Sequence, residues 1–270
     1  MGLTAPEKKL WQALEAGKLC RFHLKADDED RSLRGDILGK ILRGEPIAGI
    51  APPSRPRQVY IFGAVISGVL DMSDTQTGLT LHMRICRFTD CPNFRRAQFA
   101  FLDMKRSVFE KGANFINLEM KDNLWAVKIV SKGEFKLSDS VIGGQFSAND
   151  TSFSNPGGDA IWAQGADIKG GVFLSKASVT GRVNFNSAKI GVQFAANDAS
   201  FSNHEGHAIW AQGADIQGDV YLRGAVVTGC ADFNGAKIGG TFAAEKASFS
   251  NPDGYAIWAQ RANIKGGVFP

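Results

Sequence analysis

The feature that most constrains the fold of this chain is one phrase repeated at a fixed interval. "SFSNPGGDAIWAQGADI" begins at Ser152, "SFSNHEGHAIWAQGADI" at Ser200 and "SFSNPDGYAIWAQRANI" at Ser248, so the interval is 48 residues each time. A fixed period of this length is typical of repeat proteins, in which each unit packs against its neighbours along the chain. The sequence therefore predicts a repeat architecture.

The repeat divides into units of 11, 11, 11 and 15 residues, which begin at Ala166, Ala177, Ala188 and Ala199. Their common form is A-x-Φ-x-G-x-Φ-x-Φ-x-x, where Φ is apolar, so alternate residues lie on one buried side of a strand. Small Ala and Gly mark places where the chain turns or neighbouring strands crowd, and the polar final pair forms a corner. Two units make a coil of 22 residues, or 26 with a four-residue loop, which is the coil size of parallel β-solenoids.

We therefore predict a mainly β protein, a parallel, right-handed β-solenoid of about nine coils behind an N-terminal helical cap. Ala188 is expected to stack on Ala166, and Ala199 on Ala177. The domain boundaries follow from the change in periodicity. Residues 1–58 form the helical cap and a proline-rich linker that begins at Pro46, and residues 59–270 form the solenoid.

The cap is predicted to contain two helices. Thr4 and Glu7 have capping-box spacing, and Gly17 and Gly44 stand where the helices should end. The acidic run Asp27–Asp30 is expected at the positive end of the second helix. An open first coil would present unpaired backbone groups, so the apolar faces of the helices are expected to cover it. These faces consist of Leu10, Trp11, Leu33, Ile37 and Ile41.

Charge and cysteine usage narrow the functional classes. The net charge is +4; residues 1–130 carry 20 Lys and Arg against 15 Asp and Glu, and residues 131–270 carry 11 against 12. A nearly neutral solenoid does not favour a nucleic-acid partner. The four cysteines have neither CxxC nor metal-ligand spacing, and no apolar run reaches the length of a membrane helix. We therefore expect a reduced, cytoplasmic protein without a membrane segment in this chain.

The A-x-Φ-x-x spacing is similar to that of pentapeptide-repeat proteins. The phrases "GAVISGVLDMS", "VIGGQFSANDTSFSNPGGDAIWAQGADIKGGVFL" and "RSLRGDILGKILRGE" resemble a bacterial family with a helical start and such a solenoid. The resemblance implies the same fold. Members of this family sometimes carry the label of membrane-associated oxidoreductase, so the resemblance also raises the possibility of an enzyme.

The sequence contains no motif that supports redox chemistry. No GxGxxG stands between a strand and a helix, and no CxxC pair is present, so no cofactor is expected. His204, Glu205 and His207 could together bind a metal ion, but the two sister loops hold other residues at these places. An exposed loop that tolerates substitution is the favoured interpretation, and no metal site is predicted.

The tryptophans of the repeat are the candidate binding residues. They occupy position 8 of their units, an outward position, and stacking in two-unit coils places a polar residue between each pair. The expected outward row, called the tryptophan row below, is Trp162, Asn184, Trp210, Asp232 and Trp258. A second outward row is expected on the opposite side of the solenoid, with Phe173, Ala195, Tyr221, Ala243 and Phe269.

Two interpretations of the tryptophan row remain open. The row could bind a sugar chain, a peptide or another protein, or each loop could pack down on its own tryptophan through Pro156, His207 or Tyr255. The favoured function is a non-catalytic interaction module for a protein or polymer partner. The alternatives are a topoisomerase-interacting protein of the pentapeptide-repeat type and an enzyme with an unrecognised site.

The C-terminal phrase "GGVFP" stops within a unit. The last coil would then present a bare edge, which predicts either a longer natural protein or end-to-end self-association through that coil.

Overall fold

A computed structural model describes residues 2–47, 49 and 57–270, with Glu205 described by its backbone alone. Most of the predicted linker, including Pro52, Pro53 and Pro56, lies outside the described residues.

The two predicted helices are confirmed. The first, α1, spans Ala5–Glu15, and the capping box at its start is complete, because Thr4 and Glu7 each accept the other's backbone N–H. The second, α2, spans Gly35–Arg43 and ends at Gly44, which adopts the left-handed conformation with φ of 73°. Gly17, just past the end of α1, is also left-handed. The left-handed conformation suits glycine, because it carries no Cβ.

The cap also contains strands that the sequence analysis missed. Cys20–Arg21 and Ser32–Arg34 pair in parallel with the first coil, and Leu33, predicted on a helix, lies in the second of these strands. Strand pairing satisfies the unpaired backbone groups of the first coil directly, whereas a helix only shields them. The five apolar residues predicted to cover this coil are all buried.

The predicted place of the acidic run was wrong. Its last two residues belong to a short 3-10 helix, Glu29–Arg31, and the strand Ser32–Arg34 separates the run from the start of α2. Asp28 pairs instead with the side chains of Arg31 and Arg87. Those side-chain partners replace the helix end that was expected to stabilise this charge.

The remaining chain forms a parallel β-solenoid of about ten coils, which confirms the predicted fold class. Its strands lie in three sheets. Sheet I holds Gln98–Phe99, Glu119–Met120, Val141–Ile142, Asp167–Ile168, Lys189–Ile190, Asp215–Ile216, Lys237–Ile238 and Asn263–Ile264. Sheet II holds Cys20–Arg21, Gln58–Phe62, Thr80–Arg84, Phe101–Asp103, Leu124–Trp125, Phe146–Ser147, Val172–Phe173, Phe194–Ala195, Val220–Tyr221, Phe242–Ala243 and Val268–Phe269.

Sheet III bends around a corner and contains two rows of paired strands. Its members are Ser32–Arg34, Val65–Ser67, Arg87–Phe88, Val108–Phe109, Ala113–Asn114, Val130–Lys132, Phe135–Lys136, Ser152–Trp162, Ser178–Asn184, Ser200–Trp210, Val226–Asp232, Ser248–Ser250 and Ile257–Trp258. The tryptophans lie in the row of strands that begins with Ala113–Asn114 and ends with Ile257–Trp258.

The strand register confirms the predicted coil lengths. Phe146 pairs with Val172, Val172 with Phe194 and Phe194 with Val220, in steps of 26, 22 and 26 residues. The register also places Ala188 on Ala166 and Ala199 on Ala177, because the residues that follow them pair. The count of coils is about ten, one more than predicted. The additional strand, Gln58–Phe62, begins before the alternation becomes clear in the sequence.

The interior is a stack of apolar side chains, one layer per coil. Sheet I contributes a column of isoleucines, and sheets II and III contribute mainly phenylalanine, leucine and valine. The alanines that open most units are buried, and a close-packed interior leaves little space around such side chains. Outward side chains therefore form columns whose members are one coil apart, and these columns are the surfaces available for recognition.

Candidate binding face

The structure brings the five predicted site residues into one column. Trp162 pairs with Asn184, Asn184 with Trp210, Trp210 with Asp232 and Asp232 with Trp258. Successive strands in a sheet are about 4.8 Å apart, so the tryptophans repeat at roughly 9.6 Å. This distance is too long for the indole rings to stack on one another, so each ring is a separate platform.

The two kinds of residue in the row differ in exposure. Trp162 and Trp210 are half-buried and Trp258 is 39% exposed. Asn184 and Asp232, expected on the exposed face, are only 2% and 3% exposed. Each is a short side chain between two tryptophans of the adjacent coils, so the larger neighbours cover it. The surface of the row therefore consists mainly of the tryptophans.

The buried polar residues support the local backbone. The Oδ1 atoms of Asn184 and Asp232 accept the N–H of Asn186 and Asn234 at 3.0 and 2.7 Å. Asn184 also donates from Nδ2 to Asp159 Oδ2 at 3.3 Å. A buried amide or carboxylate needs such partners. These contacts hold the chain at the corner that follows each strand.

The inserted loops are built alike in all three copies. In each, the first asparagine donates from Nδ2 to the carbonyl of the residue four positions on: Asn155 to Asp159 at 2.9 Å, Asn203 to His207 at 2.8 Å and Asn251 to Tyr255 at 3.0 Å. This bond closes the loop on itself, as asparagine side chains commonly do in turns. The residue at the end of each loop is thereby fixed three positions before its tryptophan.

The loop ends contact the tryptophans in two of the three copies. The rings of His207 and Trp210 have centroids 5.3 Å apart and planes 13° apart, and the rings of Tyr255 and Trp258 are 6.1 Å apart. On Trp210, the guanidinium of Arg182 also lies 4.8 Å from the ring centroid. Loops and tryptophans thus pack together, as the second interpretation expected, yet the tryptophans keep part of their surface exposed.

A charged network links the first loop to the second tryptophan. Asp159, at the end of the first loop, pairs with Arg182 of the next coil, and Arg182 lies against Trp210 of the coil after it. His207 Nδ1 lies 3.6 Å from Asp232 Oδ2, within ion-pair distance if the imidazole is protonated. Trp210 is thus contacted by Arg182 of the preceding coil and by His207 of its own loop.

The histidine loop does not form a metal site among the described side chains. His207 faces Trp210 and Asp232, whereas His204 is exposed with Nε2 at 3.4 Å from Ser202 Oγ. No cluster of three His, Cys, Asp or Glu residues suited to a metal ion occurs in the part of the chain that is described. The Glu205 side chain is not among the described groups.

The cysteine thiols are poorly suited to nucleophilic chemistry. Burial raises the pKa of Cys20 to about 11 and that of Cys86 to about 12. Burial likewise raises the pKa of Cys91 and Cys230. Because the thiolate is the reactive form, all four thiols are held in the unreactive state at neutral pH.

The strand register of the second predicted row is confirmed in sheet II, where Phe173, Ala195, Tyr221, Ala243 and Phe269 pair in sequence. The outward prediction was wrong for Ala195 and Ala243, which are buried because each is a small side chain between larger neighbours of the adjacent coils. The row continues toward the N-terminus through residues that the sequence analysis did not single out. They are Tyr60, His82, Asp103, Trp125 and Ser147.

A buried carboxylate occupies this N-terminal part of the sheet II row. Asp103 is fully buried and interacts with Arg84 and with His82, whose Nδ1 lies 3.2 Å from Oδ2. Burial alone would raise the pKa of Asp103, but hydrogen bonds from His82, Arg84 and the Lys105 backbone outweigh it and lower the pKa. Asp103 is therefore an ionised anchor for its neighbours.

Comparison with known proteins gives no match. Neither a protein-family model, nor a curated protein, nor a solved structure is significantly similar to this chain. Among the described residues, no helix is both long and apolar enough to span a membrane.

Proposed function

We propose that this chain is a non-catalytic interaction module that holds an extended protein or polymer partner on its tryptophan row. The observation that carries the proposal is the register: three partly exposed tryptophans stand at every second coil of a rigid solenoid. A partner with a regular repeat along its own axis can contact all three at once. Simultaneous contacts give affinity without any single deep pocket.

The fixed position of the rings favours binding. Trp210 is contacted by His207 and Arg182, and its Nε1 donates to Gln212 Oε1 at 3.3 Å. A ring that is already immobilised loses little conformational entropy when a partner docks. Tryptophan and arginine are also the side chains that most often dominate binding energy at interfaces. The surroundings of Trp210 therefore combine both properties.

The loops add a recess beside the row. A cavity of about 280 Å³ lies between two successive loops and is lined by Pro156, Thr180, Ser202 and His204, among others. Its lining includes the polar side chains of Thr180, Ser202 and His204, which can form hydrogen bonds with a partner whose flat parts lie on the tryptophans. A sugar chain and an extended peptide both have this combination of groups.

Substitution of Trp210 tests the proposal. Trp210→Ala should abolish binding to an array of soluble glycans and extended peptides, while lowering the free energy of unfolding by only about 1–2 kcal/mol, because the ring is half-buried. Trp125→Ala is the matched control, since Trp125 is also half-buried, with Lys105 at 3.5 Å from its ring, but lies in sheet II. Equal binding by both variants, or a loss of about 3–5 kcal/mol in Trp210→Ala, would show that the ring has a packing role.

The pentapeptide-repeat-like family is proposed on the quoted phrases, and the parallel solenoid is consistent with it. A topoisomerase-interacting DNA mimic needs a continuously acidic surface. Sheet I instead carries acidic and basic residues in alternation, and the net charge is +4. These charges favour the interaction module over the DNA mimic. The raised thiol pKa values likewise give no support to cysteine-based redox chemistry.

End-to-end association through the C-terminal coil is proposed as a separate contact. A recess of about 230 Å³ in this coil is lined by apolar side chains that include Phe249, Ile257, Ile264 and Val268. Burying such a surface against a second copy is favourable. Sedimentation at several concentrations should show a dimer whose stability is insensitive to salt, and a monomer throughout would remove the proposal.

A further inference from the structure

Sheet I carries a column of alternating charge on its outer side. Its strands pair so that Asp167, Lys189, Asp215 and Lys237 follow one another, one per coil. The column is bounded by the uncharged residues Val141 and Asn263. Each sign therefore repeats at every second coil, about 9.6 Å apart.

The lysines of this column have no carboxylate partner within the described chain. Neither Lys189 nor Lys237 forms an ion pair there, although each has an aspartate in the adjacent coil, and both are exposed. Asp167 pairs with Lys169 at 2.7 Å, and Asp215 accepts from Gln217 Nε2 at 2.6 Å. The two lysine ammonium groups are thus free to meet carboxylates from another molecule.

A neighbouring column of residues has alternating projections and recesses. Lys169, Gly191, Gln217 and Gly239 each follow the last residue of one of these strands, and they alternate long side chains with glycine from coil to coil. The glycines have a structural cause, because a Cβ at Gly191 or Gly239 would lie 2.1 or 2.0 Å from a carbonyl oxygen of the preceding coil. The result is a notch at every second coil. The notch at Gly239 is a cavity of about 220 Å³ lined by residues that include Asp215 and Lys265.

We propose that sheet I is a self-complementary surface on which two copies of this chain pair face to face with antiparallel solenoid axes. The two-fold axis lies along the strand direction, between the coils of Lys189 and Asp215. After this rotation, each column of one copy faces the same column of the other copy, but the order of the coils is reversed. Lys189 therefore meets Asp215 of the second copy, and Asp167 meets Lys237 of the second copy. All four charges of each copy then face an opposite charge.

The same rotation brings the projecting side chains of the neighbouring column opposite the recesses of that column in the other copy. Lys169 of one copy faces the notch at Gly239 of the other, and Gln217 faces the notch at Gly191. A long side chain therefore enters a recess at every coil of the overlap. Complementary charge fixes the register of such a contact more than it adds affinity.

Other arrangements of the same two faces are less favourable. With parallel axes, each residue would face its own copy, so Lys189 would meet Lys189. If the two-fold axis passes through a coil instead of between two coils, each residue of that coil again faces the same residue of the other copy. Moving the axis to the position between Asp167 and Lys189 pairs Asp215 with the apolar Val141, which leaves its charge without a partner. The proposed register is the one that pairs all four charges.

The contact area indicates a weak dimer. Six coils at about 4.8 Å give a length of roughly 29 Å, and about five residues of strand and corner give a width of roughly 16 Å. The resulting area of roughly 450 Å² per copy is well below the 800 Å² of a standard interface. Association should therefore depend on concentration and weaken at high salt, because exposed charges are screened.

Charge-reversal variants test the proposal by sedimentation equilibrium at low ionic strength. Wild-type protein should dimerise, and Lys189→Asp or Asp215→Lys alone should raise the dissociation constant at least about tenfold, since each sets like charges against each other. An equimolar mixture of the two variants should form a dimer again, because aspartates at 189 and 215 in one copy then face lysines in the other. Recovery in the mixture also shows that both variants are folded.

Lys8→Asp is the control, because it makes the same change in net charge at an exposed residue of α1. It should leave the dissociation constant within about twofold of the wild-type value. A wild-type monomer at all concentrations would overturn the proposal. So would a dimer of Lys189→Asp that weakens with salt as the wild-type dimer does, or Asp215→Lys dimerising alone, which would indicate the register centred between Asp167 and Lys189.

Discussion

Replacement of Gly181 by alanine is expected to lower the free energy of unfolding by roughly 3–5 kcal/mol. Gly181 has a φ of 107°, and a Cβ there would lie 2.3 Å from the carbonyl oxygen of Asn155 and 2.9 Å from that of Gly158. Both are backbone atoms of the loop in the preceding coil, so neither can move aside without displacing the loop. Backbone strain and steric overlap therefore add.

Gly157→Ala is the matched control for this substitution. Gly157 lies in the loop with a φ of 76°, but a Cβ there would meet no atom within 4 Å. Gly157→Ala should lower the free energy of unfolding by only about 1–2 kcal/mol, which is the cost of a left-handed backbone at a residue with a Cβ. Urea denaturation followed by circular dichroism compares the two. Equal losses of stability in the two variants would contradict the conclusion that the loop packs directly against the backbone at Gly181.

The packing of the loop against Gly181 also affects the tryptophan row. The loop that rests on it carries Asp159, which pairs with Arg182, the residue over Trp210. Displacing the loop would remove the carboxylate that positions this guanidinium. Gly229 repeats the same contact one period later, with a Cβ position 2.3 Å from the carbonyl oxygen of Asn203. The glycine at position 5 is thus a structural requirement of the coils that follow the loop-bearing coils.

The strand register could be predicted from the sequence because it depends on the period alone. Alternation of apolar residues and the 22- and 26-residue steps were sufficient to place Trp162, Asn184 and Trp210 in one column. Burial of Asn184 was not predictable in this way. It depends on the size of side chains in the two adjacent coils and on Asp159, which a linear pattern of inward and outward positions does not represent.

The N-terminal part of the sheet II row shows where the period itself fails. Thr80 pairs with Phe101, a step of 21 residues, so one residue is missing relative to the regular coil. The units there are also weak, with few of the alanines and glycines that mark the later corners. His82 and Asp103 are 21 residues apart and could not be aligned from the pattern. Only the backbone pairing brings them together.

The second large effect is expected at the buried ion pair of the cap. Glu7 is fully buried; its Oε1 accepts from Arg34 Nε at 2.7 Å, and its Oε2 accepts from Arg34 Nη2 at 2.7 Å and from the Thr4 N–H at 2.8 Å. Glu7→Gln should lower the free energy of unfolding by about 3 kcal/mol, because it replaces the buried carboxylate that faces the Arg34 guanidinium with a neutral amide. This pair joins α1 to the strand Ser32–Arg34, which covers the first coil. Increased hydrogen exchange in α1 would locate the loss there.

The same pair should make stability depend on acid. Burial alone would raise the pKa of Glu7, but hydrogen bonds from Arg34 and from the Thr4 backbone outweigh it and hold the pKa below its ordinary value of 4.5. The unfolded chain therefore binds this proton first, so the stabilisation is complete above pH 4.5 and is lost as the pH falls through the lower, folded value. Glu7→Gln has no such proton, and the difference between wild type and variant in urea midpoint should shrink from neutral pH to about pH 3.

Glu45→Gln separates burial from pairing in this experiment. Glu45 pairs with Arg43 through both oxygens, at 2.6 and 3.0 Å, but its side chain is 45% exposed. Solvent screens such a pair, so its loss should cost less than about 1 kcal/mol at neutral pH. If both glutamine variants lose the same stability, the contribution of Glu7 comes from charge pairing alone. A larger loss in Glu7→Gln that diminishes in acid means that the cap depends on a carboxylate kept ionised away from water.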